Sequence, residues 1–146
     1  MSSSRLFVAN WKMNLLRPDA QRYSEALGRR IGNGPLEVEL VVAPSFTLFD
    51  AVRDRAGRWS LAAQDVASES EGAYTGEVSA SMLADAGCRY VIVGHSERRR
   101  LFAEGDPVLA RKLARCREKG LLPIYCVGET EAERTAGLSA AVLTRQ

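Results

Sequence analysis

The sequence contains few of the residues that characterise disulfide-rich and metal-binding proteins. It has three cysteines and one histidine among 146 residues, and Cys88, Cys116 and Cys126 form no C-x-x-C pair. These counts and spacings exclude a disulfide framework and a cysteine–histidine metal site. The sequence also contains no G-x-G-x-x-G or P-loop pattern, which are the usual signatures of nucleotide binding. We expect three reduced thiols, no metal and no cofactor.

Long apolar runs and a strong excess of one charge are also lacking. The longest apolar stretches, such as 91–93 and 120–128, fall far short of the roughly 18 residues that a membrane span needs. The first five residues contain no apolar core of a signal peptide. The formal net charge of +2 is too small to indicate nucleic acid as a partner. We therefore expect a soluble, cytoplasmic protein that binds neither membranes nor nucleic acid.

Short apolar runs alternate with amphipathic segments along the chain. We predict strands at 6–9, 38–43, 61–63, 90–93 and 121–127, each apolar on both faces. Helices are predicted at 18–31, 46–56, 79–86, 95–102, 106–119 and 130–146, with Ser45 capping the second and Gly137 breaking the last. This order predicts a parallel α/β sheet, either open and doubly wound or part of a (β/α)₈ barrel. The segment 65–77 interrupts the pattern, and loops of that length are usually functional or disordered.

In both architectures ligands bind at the carboxyl ends of the strands, where two residues stand out. Lys12 follows the first strand and is one of only three lysines among 20 basic residues, which favours a need for a compact ammonium. His95 follows the fourth strand at a helix start, where free backbone N–H groups disfavour a protonated ring. A neutral imidazole there can donate its N–H to a substrate carbonyl. A solvated lysine and a structural histidine are the alternatives.

Four segments together resemble a known family. They are FVANWKMN at 7–14, GAYTGE at 72–77, VGHSERR at 93–99 and CVGET at 126–130. In order and spacing they resemble triosephosphate isomerase, and the resemblance extends over essentially the whole chain. One departure is Ala103, where the family commonly has glycine. Because the family's barrel has about 250 residues, the resemblance implies that residues 1–146 are the N-terminal part of one barrel domain, through strand five and part of the following helix.

The resemblance also implies an activity and a set of site residues. The family interconverts dihydroxyacetone phosphate and glyceraldehyde 3-phosphate through an enediol(ate), in glycolysis and gluconeogenesis. Asn10 and Lys12 are implied to bind substrate, with Lys12 also catalytic and His95 acting as the neutral electrophile. The implied supporting residues are Gln64, Thr75, Ser96, Glu97 and Arg98. Thr75 lies on the loop 65–77, which is implied to form a homodimer and to support the neighbouring subunit's Asn10 and His95.

The family's glutamate base and phosphate grip follow strands six to eight, and no glutamate here matches the base motif. Three hypotheses result. The chain is half of an enzyme completed by a C-terminal half-barrel chain, an inactive truncated fragment, or a scaffold or binding protein that has lost catalysis. The joint presence of Asn10, Lys12, His95 and Glu97 disfavours the scaffold, because a binding protein has no need of all four. We expect triose phosphate as the substrate and the complementary half-barrel as a partner.

Overall fold

Five parallel strands form a single sheet in the computed structural model, which describes residues 5–32, 37–53 and 58–146. In chain order they are β1 (Arg5–Asn10), β2 (Val38–Ala43), β3 (Ser60–Ala63), β4 (Cys88–Val93) and β5 (Leu122–Tyr125). Each strand pairs in parallel with the next, so the spatial order equals the chain order. This confirms the predicted incomplete (β/α)₈ barrel, because sequential parallel strands with helical crossovers curl in one direction.

Seven helices and one 3₁₀ turn accompany the strands in the described part of the chain. They are α1 (Arg17–Ile31), the turn Phe46–Leu48, α2 (Phe49–Arg53), α3 (Ala80–Asp85), α4 (Ser96–Leu101), α5 (Asp106–Glu118), α6 (Glu131–Thr135) and α7 (Ser139–Arg145). The predicted break at Gly137 is confirmed, since that residue has a positive φ of 72° between α6 and α7. None of these helices is both long and apolar enough to cross a bilayer.

The predicted helix at 46–56 is wrong at its start. The chain there forms a 3₁₀ turn before α2, and the Ser45 hydroxyl makes no capping bond. Its oxygen lies 3.3 Å from the Thr47 hydroxyl, which gives it a local partner in place of the helix N–H groups. The predicted helix end at residues 54–56 lies outside the described residues.

The central strands β2 to β4 are largely buried on both faces, as their apolar residues predict, whereas the edge strands β1 and β5 contain no fully buried residue. One face carries Val42, Val91 and Val93, and helices α1, α3 and α5 pack on it. The other face carries Val41, Ala43, Ala62, Tyr90 and Ile92, which form a second cluster in the concave interior. Side chains alternate between the faces because successive residues of a strand point in opposite directions. The helices therefore cover one side only, and the strand ends remain open above the interior.

Three buried charged side chains, joined by the partly buried Arg98, connect the loop after β3 with α4 and α5. The Lys112 ammonium lies 2.6 Å from an oxygen of Asp65 and 2.6 Å from one of Glu104, with its side chain only 4% exposed. The Arg98 guanidinium contacts the same two carboxylates at 2.9 and 2.8 Å. Two cations thus face two anions, and this charge balance makes their burial tolerable.

Burial and ion pairing act in opposite directions on these groups. Burial raises the pKa of Asp65, although the bond and charge from Lys112 oppose the change. Burial also acts to raise the pKa of Glu104, but the hydrogen bonds from Arg98 and Lys112 outweigh it and the pKa is lowered. Glu104 is therefore the carboxylate that this cluster holds most firmly in its charged form.

We predict that Lys112→Met lowers the free energy of unfolding by about 3–5 kcal/mol, because it leaves two buried carboxylates facing one cation. Lys119→Met is the matched control, since Lys119 is exposed at the end of the same helix. Its cost should stay within about 0.5 kcal/mol. Urea unfolding followed by tryptophan fluorescence measures both variants. Equal, small effects at the two positions would show that the buried cluster contributes no net stability.

Ala103 adopts a left-handed backbone conformation just after α4. Its φ is +53°, a region that residues with a Cβ enter at a cost of roughly 1–2 kcal/mol. Glycine adopts this conformation without the steric penalty. The departure from the family's glycine therefore has an energetic consequence at this position.

We predict that Ala103→Gly stabilises the protein by about 0.5–1 kcal/mol, because the relieved strain exceeds the added entropy of the unfolded chain. Ala110→Gly in the interior of α5 is the control, since both alanines are exposed. It should instead destabilise by about 1 kcal/mol. The midpoint of urea unfolding should rise in Ala103→Gly and fall in Ala110→Gly. A loss of stability in Ala103→Gly would contradict the strain argument.

Candidate active site

A cleft of about 510 Å³ opens at the carboxyl ends of the strands. The polar residues that line it are Asn10, Lys12, Asn14, Gln64, Asp65, His95, Glu97 and Arg98, and Met13, Phe46, Leu101 and Phe102 form its apolar part. The structure thus brings together six of the eight predicted site residues. Ser96 and Thr75 are not part of the lining, and both are exposed.

Lys12 is held in an unusual backbone conformation at the start of the β1–α1 connection. Its φ is +54°, which for a non-glycine residue costs about 1–3 kcal/mol and is commonly found at functional sites. The Asn10 side-chain oxygen accepts the Lys12 N–H at 2.9 Å. The Gln64 amide donates to the carbonyl oxygens of both Lys12 and Ala43 at 2.9 Å. Side chains from the ends of β1 and β3 therefore offset the strain.

The Lys12 ammonium and the Glu97 carboxylate form an ion pair across the cleft. Nζ lies 2.5 Å from Oε1, and both side chains are nearly half exposed. The hydrogen bond from Lys12 lowers the pKa of Glu97, which favours the charged carboxylate and therefore the ion pair. An ammonium has three donors, and in the described structure only one of those on Lys12 is used. The other two remain for a ligand.

His95 occupies the cap position of α4, and its ring takes part in the cap. Nδ1 accepts the backbone N–H of Glu97 at 3.3 Å, which requires an unprotonated Nδ1 and leaves the proton on Nε2. The Glu97 carboxylate also lies 3.5 Å from Nδ1. That carboxylate is already bound to Lys12, and its contact with Nδ1 is longer than the backbone hydrogen bond. The geometry favours a neutral imidazole with Nε2–H as the donor.

The loop 65–77 contains no helix or strand, as predicted. A backbone hydrogen bond of 2.8 Å from Ala67 to Val78 closes its base. Thr75 is exposed on this loop, and within one chain it does not reach the cleft. Its hydroxyl is therefore available to a partner molecule, as is the ring of Tyr74, which is also exposed.

Sequence reasoning missed the buried cluster that supports one wall of the cleft. Asp65 lines the cleft and binds Lys112, a residue 47 positions away. The scarcity of lysine, which drew attention to Lys12, applies equally to Lys112. The sequence could therefore have pointed to Lys112 as an unusual residue. Its pairing with Asp65 and Glu104 could not be predicted, because no local sequence pattern indicates it.

The chemistry available in this cleft is that of donors and positive charge. Its two carboxylates, Asp65 and Glu97, are both ion-paired, so neither is free to accept a proton from carbon. Among the described residues, no group of three or more histidine, cysteine or acidic side chains is placed to hold a metal ion. The cleft is suited to polarise a carbonyl and to neutralise negative charge.

Comparisons with known proteins identify the family. The family model for triosephosphate isomerase matches residues 5–146. A triosephosphate isomerase of Acidithiobacillus ferrooxidans is 48% identical over 145 residues, which are 97% of this chain and 55% of that protein. The triosephosphate isomerase of Rubrobacter xylanophilus is 53% identical over 134 residues, which are 90% of this chain and 52% of that protein. The triosephosphate isomerase of Aquifex aeolicus is 42% identical over 144 residues, which are 97% of this chain and 58% of that protein.

The chain therefore spans about half the length of the curated relatives it matches. The matched half runs through β5 and the helices that follow it, and it includes the whole cleft described above. The chain belongs to the triosephosphate isomerase family.

Proposed function

We propose that this chain supplies the electrophilic half of a site that interconverts dihydroxyacetone phosphate and glyceraldehyde 3-phosphate. The observation that carries the proposal is the convergence of Asn10, Lys12 and His95 on one cleft whose carboxylates are all engaged. An electrophilic site without a free base fits one half of a proton-transfer reaction. The family relationship supplies the substrate.

In this mechanism the His95 Nε2–H donates to the substrate carbonyl oxygen. A base that is not among the described residues of the cleft removes a proton from the neighbouring carbon, and the electron pair of that C–H bond forms a carbon–carbon double bond. Negative charge moves to the oxygen, where His95 and the Lys12 ammonium stabilise it. The proton of the neighbouring hydroxyl then passes to this oxygen. The base delivers its proton to the carbon that carried the carbonyl, and a new carbonyl forms on the neighbouring carbon, which completes the isomerisation. A neutral imidazole suits this task, because it keeps its donor proton directed at the oxygen as charge develops.

The glutamate base and the phosphate grip are proposed to come from strands six to eight, in a separate chain or in the rest of a longer one. We place the complete protein in the cytoplasm. The alternatives are an inactive fragment and a scaffold that has lost catalysis. A scaffold has no reason to keep Lys12 in a strained conformation with two unused donors, which disfavours it.

We predict that the isolated chain has no measurable isomerase activity and that adding the C-terminal part of the Acidithiobacillus ferrooxidans relative restores it. Proton transfer by a positioned base contributes about 10²–10⁴-fold, and the phosphate grip adds orientation. A coupled assay of both triose phosphates measures turnover. Full activity of the isolated chain would refute the missing base, and a folded, complemented barrel without turnover would favour the inactive alternatives.

In the complemented enzyme, Lys12→Ala should lose at least about 10²–10³ in turnover, because it removes a preorganised charge from the site. Lys12→Arg should recover little of it, since a planar guanidinium cannot replace a compact ammonium. Lys119→Ala at the far end of α5 is the control and should keep full turnover. Retained activity in Lys12→Ala would exclude Lys12 from the reaction.

The loop 65–77 is proposed to join two copies of this chain, with Thr75 supporting the neighbouring subunit's Asn10 and His95. The exposed tip of the loop supports this, as do the exposed apolar residues beside the cleft, Met13, Leu101 and Phe102. Apolar groups exposed together at one rim are typical of an interface.

We predict that Thr75→Ala weakens subunit association more than it reduces turnover, because the hydroxyl touches the neighbour and not the substrate. The loss of turnover should be about tenfold or less, well below the loss in Lys12→Ala. Sedimentation equilibrium beside steady-state kinetics separates the two effects, with Thr144→Ala on α7 as the control. If Thr75→Ala lost as much turnover as Lys12→Ala while its subunit association stayed unchanged, Thr75 would belong to the site itself.

A further inference from the structure

One arginine, Arg99 of α4, binds the carboxyl ends of β4 and β5 together. Its Nε donates to the carbonyl oxygen of Gly94 at 2.9 Å, and its Nη2 donates to that of Cys126 at 3.1 Å. The same Nη2 lies 3.2 Å from the Tyr125 hydroxyl, and Nη1 lies 2.9 Å from a carboxylate oxygen of Asp106. The side chain is 18% exposed. A single planar guanidinium thus contacts two strand ends and the start of α5.

The backbone at Gly94 is packed directly against this guanidinium. Gly94 has a positive φ of 76°, and a Cβ there would lie 3.1 Å from Nη2 of Arg99 and 3.2 Å from the carbonyl oxygen of Cys126. Backbone pairing also continues past the strands, since the Cys126 N–H donates to Val93 at 2.8 Å. The chain that leaves β4 is therefore held on one side by β5 and on the other by Arg99.

The peptide that Arg99 binds is the one that leads into His95. Gly94 precedes His95, and its carbonyl oxygen belongs to the peptide that joins the two residues. On the other side of His95, the first turn of α4 supplies the Glu97 N–H that binds the ring. Arg99 lies on that same short helix, so its side chain ties the helix back to the peptide before the histidine. The segment that carries the ring thus has one attachment on each side of His95.

We propose that Arg99 is a positioning residue that orients the His95 ring by binding the carbonyl oxygens of Gly94 and Cys126 at once. The reaction it serves rests on the proposed function above, whereas its effect on the ring does not. Burial acts to lower the pKa of Arg99, but the hydrogen bonds to Asp106 and Tyr125 outweigh it and the pKa is raised. The guanidinium therefore stays charged, and its planar arrangement of donors is one that lysine cannot reproduce.

The first test is spectroscopic and needs no activity. His95 is the chain's only histidine, so the ring ¹⁵N signals of the full chain are unambiguous. At alkaline pH the unmodified protein should show two well-separated signals, one for a protonated Nε2 and one for an accepting Nδ1. In Arg99→Gln and Arg99→Lys the two signals should move toward each other, because a loosened ring samples both tautomers.

Arg22→Gln is the matched control, since Arg22 is an exposed arginine whose ion pair with Asp19 lies within α1. Its ring signals should equal those of the unmodified protein. Asp106→Asn provides a milder variant in case loss of Arg99 prevents folding, because it keeps the guanidinium and weakens one of its contacts. It should shift the signals in the same direction by less. Unchanged ring signals in the folded Arg99 variants, or in Asp106→Asn where those do not fold, would overturn the proposal.

The second test uses the enzyme completed with strands six to eight. Arg99→Gln should lower kcat about 10–100-fold and change KM by about twofold or less, because a misplaced catalytic group costs rate without removing a substrate contact. Arg99→Lys should recover little of the lost kcat. An unmodified protein without turnover would refute the proposed function and leave the spectroscopic test of Arg99 in force. Full kcat in Arg99→Gln, beside an active unmodified protein, would refute the positioning role alone.

Discussion

Strictly parallel strands, paired in chain order, are the constraint on which the rest of this structure depends. Because every strand runs in the same direction, the chain leaves each one at the same edge of the sheet. Asn10, Gln64 and His95 come from the ends of three different strands and meet in one cleft for that reason. Residues 85 positions apart, such as Lys12 and Glu97, become hydrogen-bonded neighbours without any local signal.

Two ionic arrangements of opposite character border this cleft. Lys112 is buried with two carboxylates and Arg98, so its charge is fully engaged and serves to hold the surrounding segments together. Lys12 is half exposed, has one carboxylate partner and keeps donors for a ligand. The same residue type thus has a structural role in the interior and, in the proposed function, a binding role at the opening. The difference arises from burial and from the number of partners, not from the side chain itself.

Much of the fold could be predicted because it depends on local pattern. Alternating apolar strands and amphipathic helices indicated a parallel sheet, and the ends of the predicted strands identified the neighbourhoods of Lys12 and His95. The 3₁₀ turn after Ser45 was missed because a nearby hydroxyl competes for the cap. The partners of Lys112 and Arg99 were missed because ion pairs between distant segments have no periodicity. The roles of the cleft residues stay predictions, since geometry alone brings them together without a substrate.

In a site built from strand ends, different strands can supply different groups. The contacts around this cleft show which residues hold Lys12 and His95 in place. Lys12 is held by Glu97 and Gln64, and the His95 ring is held by the helix that Arg99 ties to Gly94. All of these partners lie within the first five βα units. The contacts that hold Lys12 and His95 are thus all made within the described residues. In the proposed function, strands six to eight supply the base and the grip on the phosphate, because no described side chain in the cleft is free to replace them.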